Sequence, residues 1–457
     1  MGRDHQGGGW SARSPGGSAP SSPGSRSVGG AADGAGPGAL SAVGVRAGVA
    51  RPGLLDFPAA SLPSARAAAA VERPGGAGSP LMTAGRVWPD PEATALNQRL
   101  APWRHRQVQP DLLLVLAATA TAEVEGISAA GASAASRRYT ALADAELLLY
   151  GPGHRPRWSL PPLPAGVSPA LISWVAAQAL GLRPLVAAVG LQQQPPFPHL
   201  RLEACDCGPA ACLSSGRAMA PERVERLWQR GVRLGRSLRR PLVLAECVPG
   251  GTSTAQAALT ALGLPVADLV SGSALHPPMQ LKRRLVEAGL QRAALGPDPS
   301  PQAILAAVGD PFQAVATGLL LGAMESGQPV MLAGGSQMLA VLALALRALP
   351  RAERSALTAE VILGTTAWLA AESLAGRPAL ADLVTRLERA LAVEILALHS
   401  GLRFHESRYQ AWRDYERGYV KEGVGAGALA LLAQLKGCSL DQLRRDCDQA
   451  LDALQRL

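Results

Sequence analysis

From residue 111 onward the chain alternates between two textures. Short apolar runs recur: DLLLVLAA at 111–118, AELLLYG at 145–151, PLVAAVG at 184–190, PLVLAEC at 241–247, PVMLAGG at 329–335 and EVILGTT at 360–366. Each leads through a turn of small residues into a longer amphipathic stretch. Short continuous apolar runs bounded by such turns read as strands buried on both faces, and the amphipathic stretches between them as helices. The repeated alternation predicts an α/β fold with a doubly wound, mainly parallel sheet.

Before about residue 90 this periodicity is missing, and Gly, Ser, Pro and Ala fill most positions. Such a composition buries too little apolar surface to offset its ordering entropy. Residues 1–95 are therefore expected to be a disordered, low-complexity extension, or an over-extended gene start with Met82 as the true initiator. The folded unit is expected over 96–457.

In open α/β sheets, ligands bind beyond the carboxyl ends of the strands, where loops lead into helices. Three such loops stand out. In the first, Gly250 and Gly251 precede Thr252, Ser253 and Thr254 at the head of an alanine-rich helix. Free amides, the helix dipole and hydroxyl donors make a seat for a phosphate or carboxylate there, although an ordinary N-cap uses the same residues. The second loop brings Gly334, Gly335 and Ser336 to the same edge, and the third brings Thr365 and Thr366.

Charge changes this picture little. The net charge is +9, but only three of the 44 basic residues are lysines: Lys282, Lys421 and Lys436. The densest basic segment, Arg223 to Arg240, carries Val224, Leu227, Trp228 and Gly231 at helical spacing, so its arginines decorate the outer face of an amphipathic helix. Interleaved aromatics for base stacking are lacking, and no nucleic-acid partner is expected. No apolar run reaches the ~18–20 residues of a membrane span, and the start lacks a signal-peptide core. A cytoplasmic protein without membrane contact is expected. Six cysteines are too sparse for a disulfide framework. Cys205, Cys207 and Cys212 match no zinc spacing, so no metal is assigned.

Familiar nucleotide and hydrolase motifs are excluded by inspection. No lysine follows a glycine, which removes the P-loop. Gly423, Gly425 and Ala428 match a dinucleotide-binding pattern, but fewer than 30 residues follow Ala428, too few for the βαβ unit it requires. Neither G-x-S-x-G nor H-E-x-x-H occurs.

Six segments taken together resemble the archaeal and cyanobacterial branch of the nicotinate-nucleotide:dimethylbenzimidazole phosphoribosyltransferase family. They are EGISAAGAS at 125–133, ECVPGGTSTA at 246–255, VGDP at 308–311, LAGGSQMLAVLAL at 332–344, GTTAW at 364–368 and YERGYVKEGVGAG at 415–427. The resemblance implies a Rossmann-like α/β domain, a small helical domain built from segments near both ends of the folded region, and a homodimer. It also implies transfer of the phosphoribosyl group of nicotinate mononucleotide to a benzimidazole or purine base, yielding an α-ribazole-type 5′-phosphate for the lower ligand of cobalamin, without a cofactor. Two departures stand out. Ala367 occupies the position of an arginine usual in this branch, and CDCGPAACLSSGRAM at 205–219 replaces a polar anion-binding turn, with Ser214, Ser215 and Arg217 as the substitutes at hand.

Within that reaction a neutral base becomes a good nucleophile once its ring N–H is removed, which calls for one carboxylate base. Glu422, at the head of the glycine run containing Gly423 and Gly425, suits that role. The leaving pyridinium departs as neutral-ring nicotinate and needs no acid. Glu246 resembles the family's second acid and either stabilises the cationic ribose, orients a hydroxyl or is a charge at a helix N-terminus. Asp310 is either a ribose or base contact or a cap before Pro311. Two other readings stay open: another nucleotide glycosyl-transfer enzyme, and a non-catalytic nucleotide-binding protein. The paired carboxylates Glu422 and Glu246 weigh against a mere binder of anionic nucleotides.

Overall fold

A computed structural model of the chain describes residues 85–88 and 93–457. The expected extension over 1–95 lies outside the described residues, apart from one short strand and the start of a helix. The strands in chain order are β1 (Gly85–Trp88), β2 (Asp111–Ala117), β3 (Pro184–Val189), β4 (Leu200–Arg201), β5 (Leu242–Cys247), β6 (Val330–Ala333), β7 (Val361–Thr365), β8 (Ser373–Leu374), β9 (Arg377–Pro378) and β10 (Leu396–His399). Eight of them form one sheet in the order β1-β10-β7-β6-β5-β2-β3-β4, and β8 and β9 pair as a separate hairpin. Every pairing in the large sheet is parallel except the edge pair of β1 with β10. The doubly wound α/β expectation is met.

The strand runs sort their side chains by a period of two into two cores, one on each face. On β2, Leu113, Val115 and Ala117 enter one core while Leu112, Leu114 and Leu116 enter the other. On β5, Leu242 and Leu244 oppose Val243, Ala245 and Cys247 in the same way. The run at 145–151 is a correction: it belongs to the helix Thr140–Tyr150. Alanine and leucine dominate it and β-branched residues are absent, so helix propensity prevails where an apolar run alone does not discriminate.

On one face the helices Pro221–Ser237 and Pro311–Ser326 meet backbone to backbone. A Cβ at Gly231 or Gly235 would overlap the carbonyl of Val315 or Leu319, and one at Gly318 or Gly322 would overlap that of Trp228 or Val232. Four glycines thus permit the approach. The outer face of the first helix carries the exposed Arg226, Arg233 and Arg236, whereas Arg223 is buried against Glu203. On the opposite face Lys436, just past the helix Ala426–Leu435, donates to the carbonyls of His105 (3.0 Å) and Val108 (2.7 Å). No helix among the described residues is long and apolar enough to cross a membrane.

Chain order reverses at the centre of the sheet. From β2 the chain runs outward to β3 and β4, then returns to β5 on the other side and continues through β6, β7 and β10. The carboxyl ends of β2 and β5 therefore flank a topological switch point, where a crevice opens between diverging loops.

Candidate active site

A cleft of about 540 Å³ lies at this edge. The end of β5, the turns after β5 and β6 and the helix starts that follow them line it with Glu246, Gly250, Gly251, Thr252, Gly335 and Ser336, and the glycine-rich segment adds Glu422 and Gly423. These eight predicted residues meet in one place. The other seven do not line it. Ser253, Thr254, Thr365 and Thr366 are buried, as is Asp310, and Gly334 and Gly425 are buried backbone positions.

Asp310 is engaged by protein alone. Its Oδ1 accepts from the Gln313 amide at 3.0 Å, capping the helix Pro311–Ser326. Its Oδ2 accepts from Thr254 Oγ1 (2.6 Å) and Gln337 Nε2 (2.8 Å). The cap reading fits this geometry, and the network braces the Gly250–Thr254 turn from behind. Ser214, Ser215 and Arg217 are also absent from the cleft wall; Arg292 holds the Ser214 carbonyl at 2.5 Å. Ala367 is buried. Among the described residues, no group of three or more His, Cys, Asp or Glu side chains is placed to hold a metal ion.

Glu422 is fixed by four donors. Oε2 accepts from Thr365 Oγ1 (3.1 Å) and the Thr366 amide (2.8 Å), and Oε1 from the amides of Gly423 (3.0 Å) and Gly427 (3.2 Å). Gly427, in the first turn of the helix Ala426–Leu435, packs so closely on Thr365 and Thr366 that any Cβ would overlap their backbone. Burial raises the Glu422 carboxyl to about 7, against the four hydrogen bonds, which favour its ionised form.

The backbone around Glu422 is strained. Val420, Lys421 and Val424 have φ of +64°, +61° and +53°, a region that β-branched residues rarely enter. The Lys421 amide donates to Tyr419 O (2.7 Å) and the Glu422 amide to Val420 O (2.8 Å), closing two successive three-residue turns. Tertiary hydrogen bonds hold the strain in place. Thr366 Oγ1 donates to Lys421 O (2.5 Å), Ser173 Oγ to Val424 O (2.8 Å) and the Val420 amide to Ser273 O (2.9 Å).

Glu246 is the penultimate residue of β5 and faces the same cleft. Burial, then the nearby Asp310 and Glu422, raise its carboxyl to about 8, opposed by the Val248 amide. At neutral pH it is mostly protonated. Beside it the two most hidden lysines organise the loop at 270–275. Lys282, fully buried, donates to Val270 O (2.9 Å) and Ser271 O (2.5 Å), and burial lowers its ammonium to about 7. Lys421 pairs with Glu372 at 2.6 Å and reaches Ala274 O at 3.2 Å, while Ser271 Oγ donates to Glu372 at 2.5 Å.

Residues 170–391 match the family model described as Phosphoribosyltransferase. A UPF0284 protein of Prochlorococcus marinus (strain MIT 9313) is 63% identical over 363 residues, covering 79% of this chain and 90% of that protein. The chain belongs to the UPF0284 family. Another UPF0284 protein, from Parasynechococcus marenigrum (strain WH8102), is 63% identical over 361 residues, covering 79% of this chain and 91% of that one. The crystal structure of CobT from Thermus thermophilus shares the fold at a TM-score of 0.50 and 21% identity, over 79% of this chain and 92% of that one. The family model matched over residues 170–391 assigns this UPF0284 chain to the phosphoribosyltransferase class of enzymes.

Several cleft residues have no role in the sequence analysis. Asp144, Ser168 and Lys421 all line the cleft. Asp144 had a visible signal: an acid in the middle of TALADAELLLY, at 140–150, where almost every neighbour is apolar.

Proposed function

We propose that the cleft transfers the phosphoribosyl group of nicotinate mononucleotide to a benzimidazole or purine base, making an α-ribazole-type 5′-phosphate for the lower ligand of cobalamin. The observation that carries this reading is the pairing of a rigid, cleft-facing Glu422 with glycine- and hydroxyl-rich helix N-termini in the same cleft. Thr252 near the head of the helix Gly251–Ala261 and Ser336 at the head of Ser336–Ala348 both line it. Their N-terminal amides and hydroxyls supply a seat for the phosphate and carboxylate without a lining arginine. Lys421, which lines the cleft, is already paired with Glu372.

Glu422 removes the ring proton of the incoming base. The freed nitrogen attacks the anomeric carbon, and the bond from that carbon to the pyridinium nitrogen breaks. Nicotinate leaves with a neutral ring, so its departure needs no proton. A carboxyl near 7 is matched to this work at neutral pH. Glu246 faces the ribose, where its protonated form orients a hydroxyl and its ionised form stabilises the positive charge that develops. The resemblance adds a homodimer, which light scattering on the purified chain would test.

The deciding experiment incubates the purified protein with nicotinate mononucleotide and a panel of bases and follows nicotinate release by chromatography. Base-dependent release supports the reading. Its absence with every base would overturn it.

A further inference from the structure

The cleft contains a third carboxyl group that the proposed reaction leaves unused. Asp144 stands in the middle of the helix Thr140–Tyr150, 5% exposed, and lines the cleft together with Thr140, Ser168 and Cys247. Its Oδ1 accepts from Ser168 Oγ at 2.6 Å and its Oδ2 from Cys247 Sγ at 3.4 Å. A carboxylate offers about four acceptor sites. One hydroxyl and one weak thiol donor leave about half of that capacity open, and no cation is paired with Asp144 among the described residues.

A buried acid with unmet acceptor capacity is unfavourable unless something brings donors to it. The same cleft is walled by Ile127, Leu160, Leu163 and Val167. An apolar wall with one polar acceptor suits a flat heterocycle whose faces are apolar and whose edge carries a donor. Asp144 caps no helix, and Ser168 steadies it while also accepting from the Ala170 amide at 3.1 Å.

We propose that Asp144, oriented by Ser168, determines which base the cleft accepts, by taking a hydrogen bond from a donor on the base's edge away from the attacking nitrogen. The proposal rests on the phosphoribosyl-transfer reading and narrows its substrate class. Preferred bases carry an exocyclic amine or a hydroxyl. A base bearing only methyl groups would leave the carboxyl without a partner, and a site built to hydrogen-bond a substrate discriminates strongly against analogues that lack the group.

The test is calorimetric binding of matched base pairs in the presence of nicotinate: adenine against purine, and 5-hydroxybenzimidazole against 5-methoxybenzimidazole. The wild type should bind the donor-bearing member of each pair at least about 10-fold more tightly. Asp144→Asn keeps the shape but removes the charge, and the ratio should fall to about threefold or less. Ser168→Ala should lower the ratio without touching the acid, and it serves if the Asp144 variant fails to fold. A purely structural Asp144 would lower the melting temperature and weaken both members of a pair equally. That outcome overturns the proposal, as do equal wild-type affinities or no binding of any base. Absence of nicotinate release with measurable base binding would overturn the transfer reading alone, and the binding ratios would still judge Asp144.

Discussion

The Thr365 hydroxyl differs from the other three donors to Glu422 in being able to rotate away, since those three are backbone amides fixed by the fold. A base proton transferred to Glu422 therefore takes the position that Thr365 gives up. Thr365→Val removes one hydrogen bond to the ionised form, so the carboxyl should rise further above 7. The acid limb of kcat/KM against pH should then move to higher pH, and an unmoved profile would separate Thr365 from the reaction. Glu422→Gln keeps the size and the amide contacts but cannot take the proton. Turnover with saturating base should fall about 10²–10⁴-fold, with the melting temperature of the same preparation as control. Well-folded Glu422→Gln enzyme turning over at a near-normal rate would leave Glu422 as the cap of the helix Ala426–Leu435. At this scale the sequence made Glu422 legible because an acid beside bare glycines is conspicuous. The four donors were not legible, because two come from Thr365 and Thr366, more than fifty residues away along the chain.

Among the elements, the helix pair Pro221–Ser237 and Pro311–Ser326 bears most on the site, because Asp310 caps the second helix and reaches Thr254 and Gln337. Gly318→Ala would set a methyl group against the Trp228 carbonyl. Overpacking of this kind costs about 1–3 kcal/mol, measurable by urea unfolding, and activity should fall with it as the brace behind the Gly250 turn shifts. Gly296→Ala, where an added Cβ meets nothing within 4 Å, should leave both unchanged. The amphipathic pattern of the first helix was readable as such, but nothing local marks Gly231 and Gly235 as contact points, since their partners lie some eighty residues on. The strand runs are readable where six or seven residues follow a turn and include a valine, as at β2 with Val115 and β5 with Val243. β10, Leu396–His399, gives no such signal because no glycine or proline turn precedes it. The run at 145–151 failed for the opposite reason, being apolar enough for either element.

For the molecule as a whole, the buried acids tie stability to pH. Between the ordinary carboxyl value of 4.5 and about 8, folded Glu246 keeps a proton that the unfolded chain has lost. Stability therefore falls as pH rises through that window, by up to about 1.4 kcal/mol per pH unit for one such group. Glu422 adds to the fall up to about 7. Lys282, lowered from 10.5 to about 7, acts in reverse above pH 7, where the unfolded chain holds the extra proton and stability rises with pH. The melting temperature should thus drop between pH 5 and pH 7, and drop less in Glu246→Gln; equal slopes would contradict the raised carboxyl. Lys282 also has a consequence for chemical labelling. Of the three lysines, Lys282 and Lys421 are buried and Lys436 is tied to two backbone carbonyls. An amine-acylating reagent therefore meets almost no free side-chain amine on the native fold, although the chain is strongly basic. Acylation of Lys282 would report opening of the core beneath the 270–275 loop, and acylation of Lys421 opening of the cleft itself. The ratio of the two rates would tell whether the cleft breathes on its own or only when the whole domain comes apart.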